Sequence, residues 1–440
     1  MSPYTSPLAE SLAPDLERRF CDYVRVDTQS TRDRTTSPST PGQLELARML
    51  VAELSDAGLT GATLDDNGYV TASLDASGAA GDSELPVIGL IAHMDTSPDA
   101  PGAGVEPLVH RGYDGGRIEL PRGGTVLDPE RMPELLAKRG HDIMTSSGDT
   151  LLGADDKAGV AEIVTAVAHL AAHPELPRPP LRICFTPDEE IGEGATLFDI
   201  DGFGARCAYT IDGSNLGGLD DETFSADEAI VTVHGVDIHP GQATGKMVSA
   251  LRIAAEIVAA LPSDRLTPHS SSGREGFIHP YELTGTVAQA QVRAIIRDFD
   301  EQLMHEHTDL LRKTAERVVA AHPGARLKVD VHYQYRNMRQ YLDPVPEVVA
   351  AAEAAIREEG IEPIRVPVRG GTDGSRLSEM GLPTPNIFTG CHEFHSVREW
   401  ASLQDMAAAA ATIVHLAGVW ARGGAERAAG ARDDRAVAGR

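Results

Sequence analysis

Apolar residues recur along the chain with two periods, and each period predicts a different kind of element. Spacings of three and four residues predict helices at 44–54, 160–170, 247–261, 348–356 and 406–419. Short unbroken apolar runs, rich in branched side chains, predict buried strands at 87–92, 181–186 and 208–211. Because these strands alternate with helices, the sequence predicts an α/β fold.

The pattern changes in the middle of the chain. From residue 224 to 336 it predicts, in order, a strand at 230–236, a helix at 247–261, two strands within 285–299, a helix at 301–321 and a strand at 327–335. This βαββαβ order is typical of a ferredoxin-like α+β domain. Since the α/β pattern then resumes, we expect a first domain made of 1–223 and 337–420, with 224–336 inserted. The last residues, 421–440, contain few large apolar side chains and are predicted to be a disordered tail.

Composition narrows the functional classes. The 440 residues include 39 Lys and Arg against 66 Asp and Glu, a formal charge of -27, which would repel nucleic acid. No apolar run approaches the roughly 20 residues of a membrane helix, and the first residues do not resemble a signal peptide. The four cysteines are widely spaced, as expected in a reducing compartment. We therefore expect a soluble cytoplasmic protein without a nucleic-acid or membrane partner.

Polar side chains follow the predicted strands directly. His93 and Asp95 come after strand 87–92, Glu189 and Glu190 follow strand 181–186, and Asp212 ends strand 208–211. Open α/β sheets bind ligands at such strand ends. A histidine can bind zinc through one ring nitrogen while a carboxylate holds the other, which is the role that the spacing suggests for Asp95. Two adjacent glutamates can have different roles, one as a metal ligand and the other in proton transfer.

Two further positions extend this prediction. Asp155 lies between glycines just before the helix at 160–170, where a helix-capping role would explain one carboxylate but not the glycines. Near the end of the chain, His392 and His395 are equally suitable ligands by position. Each residue alone is also typical of an ordinary turn or cap. Their repetition at several strand ends predicts a shared metal site.

The motifs around these residues resemble those of the peptidase T family, the tripeptide aminopeptidases of the di-zinc aminoacylase and carboxypeptidase superfamily. The resemblance runs from about Leu16 to Val419. It rests on Asp-Thr-Gln-Ser at 27–30, Ala-His-Met-Asp-Thr-Ser-Pro-Asp at 92–99, Leu-Leu-Gly-Ala-Asp-Asp-Lys-Ala-Gly at 151–159, Phe-Thr-Pro-Asp-Glu-Glu at 185–190 and Arg-Gly-Gly-Thr-Asp-Gly at 369–374. It implies a discontinuous di-zinc peptidase domain, with a mixed sheet flanked by helices, and an inserted lid.

The resemblance also implies a role for each matched residue. Two Zn²⁺ ions are expected per chain, the first held by His93 and Asp212 and the second by Glu190 and His395, with Asp155 bridging both. The residue that matches Asp95 orients the histidine, and the one that matches Glu189 is the general base. In the lid, His239 and Arg297 are expected to bind substrate. A planar guanidinium suits a peptide carboxylate, although Arg297 could instead pair with Asp298 or Asp300.

The sequence departs from the family pattern in two places. Around the last ligand it reads Gly-Cys-His-Glu-Phe-His-Ser at 390–396, so alignment favours His395 and keeps His392 as an extra candidate. After Asp212 it has Gly213-Ser214 in place of two glycines.

The implied activity is release of the N-terminal residue from tripeptides. A related dipeptidase, carboxypeptidase or N-acyl amino acid hydrolase is the alternative, and an inactive peptide- or metal-binding protein is a distant one. Lid-mediated dimers occur in the superfamily, which makes a homodimer compatible with the resemblance.

Overall fold

The computed structural model describes residues 2–78 and 85–423. Its helices are α1 Pro7–Val24, α2 Pro41–Asp56, α3 Pro133–Leu136, α4 Ala154–Ala172, α5 Ile200–Phe203, α6 Ala250–Ala260, α7 Glu301–Ala320, α8 Arg339–Leu342, α9 Pro346–Glu358, α10 Asp373–Glu379 and α11 Leu403–Ala421. Its strands are β1 Thr60–Leu64, β2 Val70–Leu74, β3 Ile88–His93, β4 Leu108–His110, β5 Ile118–Glu119, β6 Val126–Leu127, β7 Ile143–Thr145, β8 Leu181–Thr186, β9 Cys207–Gly213, β10 Gly218–Asp220, β11 Ser225–His234, β12 Phe277–Gly285, β13 Gln289–Asp298, β14 Arg326–Tyr335, β15 Ile364–Arg365, β16 Asn386–Phe388, β17 Cys391–His392 and β18 Trp400–Ser402.

The chain divides into two compact units. The second unit comprises Glu222–Arg339 and Pro367–Gly371, and the rest of the described chain forms the first. The predicted inserted segment, 224–336, therefore falls inside the second unit. Of the predicted tail, residue 421 ends helix α11, and residues 424–440 lie outside the described residues.

The first unit is built on an eight-stranded mixed sheet with the order β1-β2-β8-β3-β9-β16-β10-β15. Its central strands β8, β3, β9 and β16 run parallel, so their carboxyl ends meet at one edge. Strand β3 is buried over its whole length, as its continuous apolar sequence requires. Helix α4 packs on β3 and β9, and helices α1, α9 and α11 complete that layer. The predicted α/β class, with helices flanking a mixed sheet, is confirmed.

The second unit contains a four-stranded antiparallel sheet with the order β12-β13-β11-β14, on which helices α6 and α7 pack. Along the chain its elements follow one another as strand, helix, two strands, helix and strand. One detail predicted for this segment is wrong, because the first strand of the central pair lies at Phe277–Gly285 and not within 285–299. Strand β12 contains Pro280, forms a sheet edge and is buried only at Phe277 and Ile278, so little apolar alternation marks it in the sequence.

None of the helices in the described segments 2–78 and 85–423 is long and apolar enough to cross a membrane. This finding agrees with the absence of a long apolar run in the sequence. The cytoplasmic location and the homodimer remain predictions.

Candidate metal centre

Neighbouring parallel strands bring the predicted ligands to one edge of the large sheet. Strand β3 ends at His93, and the strands beside it on either side are β8 and β9. After β8 the chain turns into a short 3-10 helix at Glu189–Ile191, which carries Glu190. Asp212 is the penultimate residue of β9. The acidic and imidazole side chains that follow these apolar strands in the sequence thus lie together in space.

Helix α4 brings Asp155 to the same edge. Gly159 lies so close to β9 that a Cβ atom there would be 1.8 Å from the carbonyl oxygen of Ile211. Only glycine fits this contact, which lets the start of the helix approach the strand. The neighbouring carboxylate of Asp156 is buried and accepts hydrogen bonds from the N–H groups of His93, at 3.2 Å, and Gly159, at 3.1 Å. Asp156 therefore fixes the helix start against β3.

Two groups of three side chains could each hold a metal ion. His93, Asp155 and Asp212 form the first group, and Asp155, Glu190 and His395 form the second, with the ligand atoms of each group within 4.8 Å of one another. In the first, Nε2 of His93 lies 2.9 Å from Oδ1 of Asp155 and 3.8 Å from Oδ1 of Asp212. In the second, Nε2 of His395 lies 2.9 Å from Oε2 of Glu190 and 3.3 Å from Oδ2 of Asp155. Asp155 thus presents one oxygen to each group.

Asp95 determines which nitrogen of His93 can act as a ligand. Nδ1 of His93 lies 3.1 Å from the backbone oxygen of Asp95 and 3.3 Å from its Oδ1. A carbonyl oxygen only accepts hydrogen bonds, so Nδ1 keeps its proton and Nε2 is the nitrogen whose lone pair a metal can use once the ring is neutral. That nitrogen is the one that points to Asp155.

The carboxylate of Asp95 also holds the segment that carries the two glutamates. It is fully buried and accepts hydrogen bonds from the backbone N–H groups of Glu189, at 2.9 Å, and Glu190, at 3.2 Å. One side chain therefore orients the imidazole of His93 and fixes the turn after β8. The side-chain carboxylate of Glu189 has no hydrogen bond or ion pair within residues 2–78 and 85–423, which leaves it available to a ligand.

The histidines carry protons when no metal is bound. Burial would lower the pKa of His93, but hydrogen bonds to the carboxylates of Asp155 and Asp95 outweigh it and raise that pKa well above its usual value. Hydrogen bonds to Asp155 and Glu190 raise the pKa of His395 to about 11. Burial likewise raises the pKa of Glu190 to about 7. In the metal-free protein, protons on these side chains thus offset the negative charge of the carboxylates, which a bound cation would otherwise neutralise.

The side chains fit a divalent metal ion in their chemistry as well as in their spacing. Burial raises the pKa values of Glu189 and Asp212 well above their usual range, so their negative charges are costly without a cation. Oε1 of Glu190 is buried and has no hydrogen-bond partner within the described chain. Imidazole nitrogens together with carboxylate oxygens are donors that zinc binds, although other divalent transition metals accept them too.

The two histidines that the sequence left open have different surroundings. His392 belongs to β17 and stacks on Trp400, with ring centroids 4.1 Å apart. Burial lowers its pKa to about 3, so it is a neutral packing residue. His395 lies in the loop that follows, and Oδ2 of Asp99 is 3.5 Å from its Nδ1. The structure therefore brings His395, and not His392, to Asp155 and Glu190.

Three acidic residues support the site without having been predicted. Asp99 faces His395, and Asp188 accepts hydrogen bonds from Ser39 and Gln43. Glu399 accepts hydrogen bonds from the backbone N–H groups of Leu152, Gly153 and Asp155. Asp99 and Asp188 stand inside motifs quoted for the resemblance, so their positions carried a signal. Glu399 lies in no motif, and only the fold reveals it.

The predicted substrate-binding residues belong to the second unit. His239 is exposed, and its Nδ1 accepts a hydrogen bond from the N–H of Gly241 at 3.2 Å. Arg297 lies on β13, where its Nη1 donates to the backbone oxygen of Arg369 at 3.3 Å and its buried Nε has no partner within the described chain. The nearby Asp298 pairs with His307 at 3.0 Å instead.

Comparisons with known proteins identify the family. The sequence profile described as peptidase family M20/M25/M40 matches residues 151–418. The chain belongs to this peptidase family. It is accordingly a hydrolase of peptide bonds, as the sequence predicted.

Similar proteins and structures agree with this assignment. The chain is 46% identical to peptidase T of Bacillus velezensis, over 92% of this chain and 98% of that protein. It is 44% identical to peptidase T of Bacillus subtilis, over the same shares. The crystal structure of aminopeptidase PepT from Bacillus cereus superposes with a TM-score of 0.72 at 22% identity, covering 93% of this chain and 99% of that one. A dinuclear metal binding peptidase of the M20 family from Bacillus subtilis gives 0.62 at 15% identity, covering 94% and 99%. The predicted resemblance to peptidase T is confirmed.

Proposed function

We propose that this chain is a zinc-dependent aminopeptidase that releases the N-terminal residue of tripeptides. The observation that carries the proposal is the sharing of Asp155 between two groups of ligands, His93 with Asp212 and Glu190 with His395. A carboxylate that presents one oxygen to each of two cation positions is the arrangement that a two-metal hydrolase needs. The names of the peptidase T relatives support the substrate class.

Two metal ions would be held by these five side chains. His93 and Asp212 would bind one ion, Glu190 and His395 the other, and Asp155 both. Bound there, the ions would act as Lewis acids and lower the pKa of a coordinated water. The hydrogen bonds of Asp95 would keep Nε2 of His93 directed at its ion.

Glu189 is the proposed general base. Its backbone N–H donates to Asp95, and its carboxylate has no hydrogen bond or ion pair within the described chain. Burial raises its pKa, which makes the ionised form a stronger proton acceptor. In the proposed reaction Glu189 takes a proton from the attacking water and returns it to the leaving amine.

Arg297 and His239 are the proposed substrate-binding residues. The guanidinium of Arg297 has one Nη1 contact, to a backbone oxygen, and no carboxylate partner within the described chain. Such an arginine retains donors for a peptide carboxylate, to which it can give two parallel hydrogen bonds. His239 is exposed and would approach the substrate as a hydrogen-bonding side chain.

A substrate series tests the proposal and separates it from its alternatives. We expect the zinc-loaded enzyme to hydrolyse an unblocked tripeptide faster than the matching dipeptide, tetrapeptide and N-acetyl tripeptide, with the N-terminal residue as the first product. Faster cleavage of the dipeptide, of a C-terminal residue or of an N-acyl amino acid would identify one of the related hydrolases. Metal binding without hydrolysis of any of them would contradict the proposal.

A further inference from the structure

Glu399 is a buried carboxylate outside every motif of the sequence. It is 1% exposed, and its two oxygens accept three hydrogen bonds from the backbone that leads to Asp155. The N–H groups of Leu152 and Gly153 donate to Oε2, each at 2.7 Å, and that of Asp155 donates to Oε1 at 3.0 Å. Within residues 2–78 and 85–423 it pairs with no Lys, Arg or His nitrogen.

The backbone around Glu399 is shaped to bind an anion. Gly153 has φ of +80°, a left-handed conformation that glycine adopts without strain. Successive N–H groups in such a turn converge into a concave site for negative charge. Here the anion is a side chain of the protein itself. The carboxylate therefore holds residues 152–155 in the conformation that presents Asp155.

Glu399 also continues the loop that carries His395. Its own N–H donates to the backbone oxygen of Ser396 at 3.2 Å, which closes a turn immediately after His395. On its other side the chain enters strand β18 at Trp400. One side chain thus connects the loop of His395 to the segment of Asp155, whose Oδ2 lies 3.3 Å from Nε2 of that histidine.

We propose that Glu399 is a positioning residue that sets the distance between Asp155 and His395 at the second metal position. This inference rests on the proposed function, since it assigns Glu399 a role at that same site. Glu399 lies against the backbone of Asp155 and contacts no ligand oxygen, so it acts through the ligand. Loss of such an outer partner typically weakens metal binding about 10- to 100-fold.

The test compares Glu399→Gln with a matched variant, Glu359→Gln. Glu359 is equally buried, at 1% exposure, but its partners are Thr5, Ser6 and His415, none of them a candidate ligand. Zn²⁺ binding is measured by competition with a chelator, and the melting temperature of each metal-free protein is measured separately. A merely structural role would lower the melting temperatures of both variants and leave the Zn²⁺ affinity of both unchanged.

We expect Glu399→Gln to bind one of its two Zn²⁺ equivalents about 10- to 100-fold more weakly than the wild type. Glu359→Gln should bind both with wild-type affinity. Excess Zn²⁺ should restore tripeptide turnover to Glu399→Gln without changing KM. If this variant does not fold, Glu399→Asp, which keeps the charge and shortens the side chain, should show the same selective loss at smaller size.

Wild-type affinity for both equivalents in Glu399→Gln, or in the aspartate variant if only that one folds, would overturn the inference. Failure of the proposed function would be detected in a different measurement, on the wild-type protein. If the wild type binds no Zn²⁺ or cleaves no peptide, the proposed function fails and the role of Glu399 fails with it. Two tight equivalents in the wild type and in Glu399→Gln would refute the role of Glu399 alone.

Discussion

Oδ2 of Asp155 lies 3.3 Å from Nε2 of His395, while its Oδ1 faces a different histidine on the other side. This relationship joins two parts of the sequence that are 240 residues apart. It makes the carboxylate of Asp155 a member of both candidate metal positions. The proposed two-metal function requires that shared carboxylate.

Replacing Glu189 with Gln should remove turnover and spare metal binding. The amide cannot accept a proton, so we expect kcat to fall about 100- to 10,000-fold, the usual contribution of a general base. Both Zn²⁺ equivalents should remain, because Glu189 belongs to neither ligand group. Steady-state kinetics and elemental analysis on the same preparation measure the two effects. Near-normal kcat would exclude Glu189 as the base.

His395 and His392 form a natural pair of test variants. His395→Ala removes a proposed ligand, so one Zn²⁺ equivalent should weaken by more than the about 10- to 100-fold typical of an outer partner. His392→Ala removes a ring that stacks on Trp400, and we expect lower thermal stability with both equivalents retained. Metal titration of both proteins distinguishes them. The reverse result would make His392 the ligand.

Arg297→Ala should weaken binding of the substrate carboxylate. A hydrogen bond to a charged group contributes about 1.5–3 kcal/mol, which corresponds to a rise in KM of about 10- to 150-fold. The control is Arg293→Ala on the same strand, because Arg293 already pairs with Glu228 at 2.7 Å.

A C-terminally amidated tripeptide completes this experiment. The wild type and Arg293→Ala should discriminate against the amide, and Arg297→Ala should not. Equal discrimination by all three proteins would show that Arg297 does not bind the carboxylate.

Metal binding should strengthen as the pH rises. In the metal-free protein the pKa of His395 is raised to about 11 by Asp155 and Glu190, and burial raises that of Glu190 to about 7. Both groups must lose protons to act as ligands, so protons compete with the metal below those pKa values. We expect Zn²⁺ affinity to increase from pH 6 to pH 8 and protons to be released on binding. Calorimetry in buffers of different ionisation enthalpy measures the release; an affinity independent of pH would contradict this.

The stability of the metal-free protein should decrease as the pH rises, in contrast to its Zn²⁺ affinity. A histidine whose folded pKa is raised above about 6.5 adds stability that is complete below that pH and is lost as the pH approaches about 11. The ion pairs of His395 should therefore stabilise the metal-free protein less at pH 10 than at pH 6. His395→Ala supplies the control, since it should lack this part of the pH dependence in denaturant titrations.

The candidate metal site could be predicted from the sequence because its residues lie where buried strands end. Strands such as Ile88–His93 are apolar throughout, since both faces are covered, and their first polar residue marks the sheet edge. A metal ligand at the end of such a strand can therefore be predicted from the sequence before the other ligands are known. His93, Glu190 and Asp212 were predicted as ligands in this way, and the structure places them at that edge.

The features that were not predicted depend on contacts between distant parts of the chain, which the local sequence pattern does not reveal. Glu399 binds backbone N–H groups almost 250 residues away, and any residue type can provide those donors. Similarly, His392 and His395 differ only in what they face after folding. Strand β12 was misplaced because most of this edge strand is exposed, so its residues do not alternate between apolar and polar. Helix Pro7–Val24 was not predicted, and it contains Pro14, a residue that usually argues against a helix interior.

We propose that two metal ions share Asp155 and that both are needed for peptide hydrolysis. The most direct measurement titrates Zn²⁺ into the metal-free protein while the rate of tripeptide hydrolysis and the bound metal per chain are recorded together. We expect full activity only as the second Zn²⁺ equivalent binds. Full activity with one equivalent, or with none after exhaustive chelation, would contradict it.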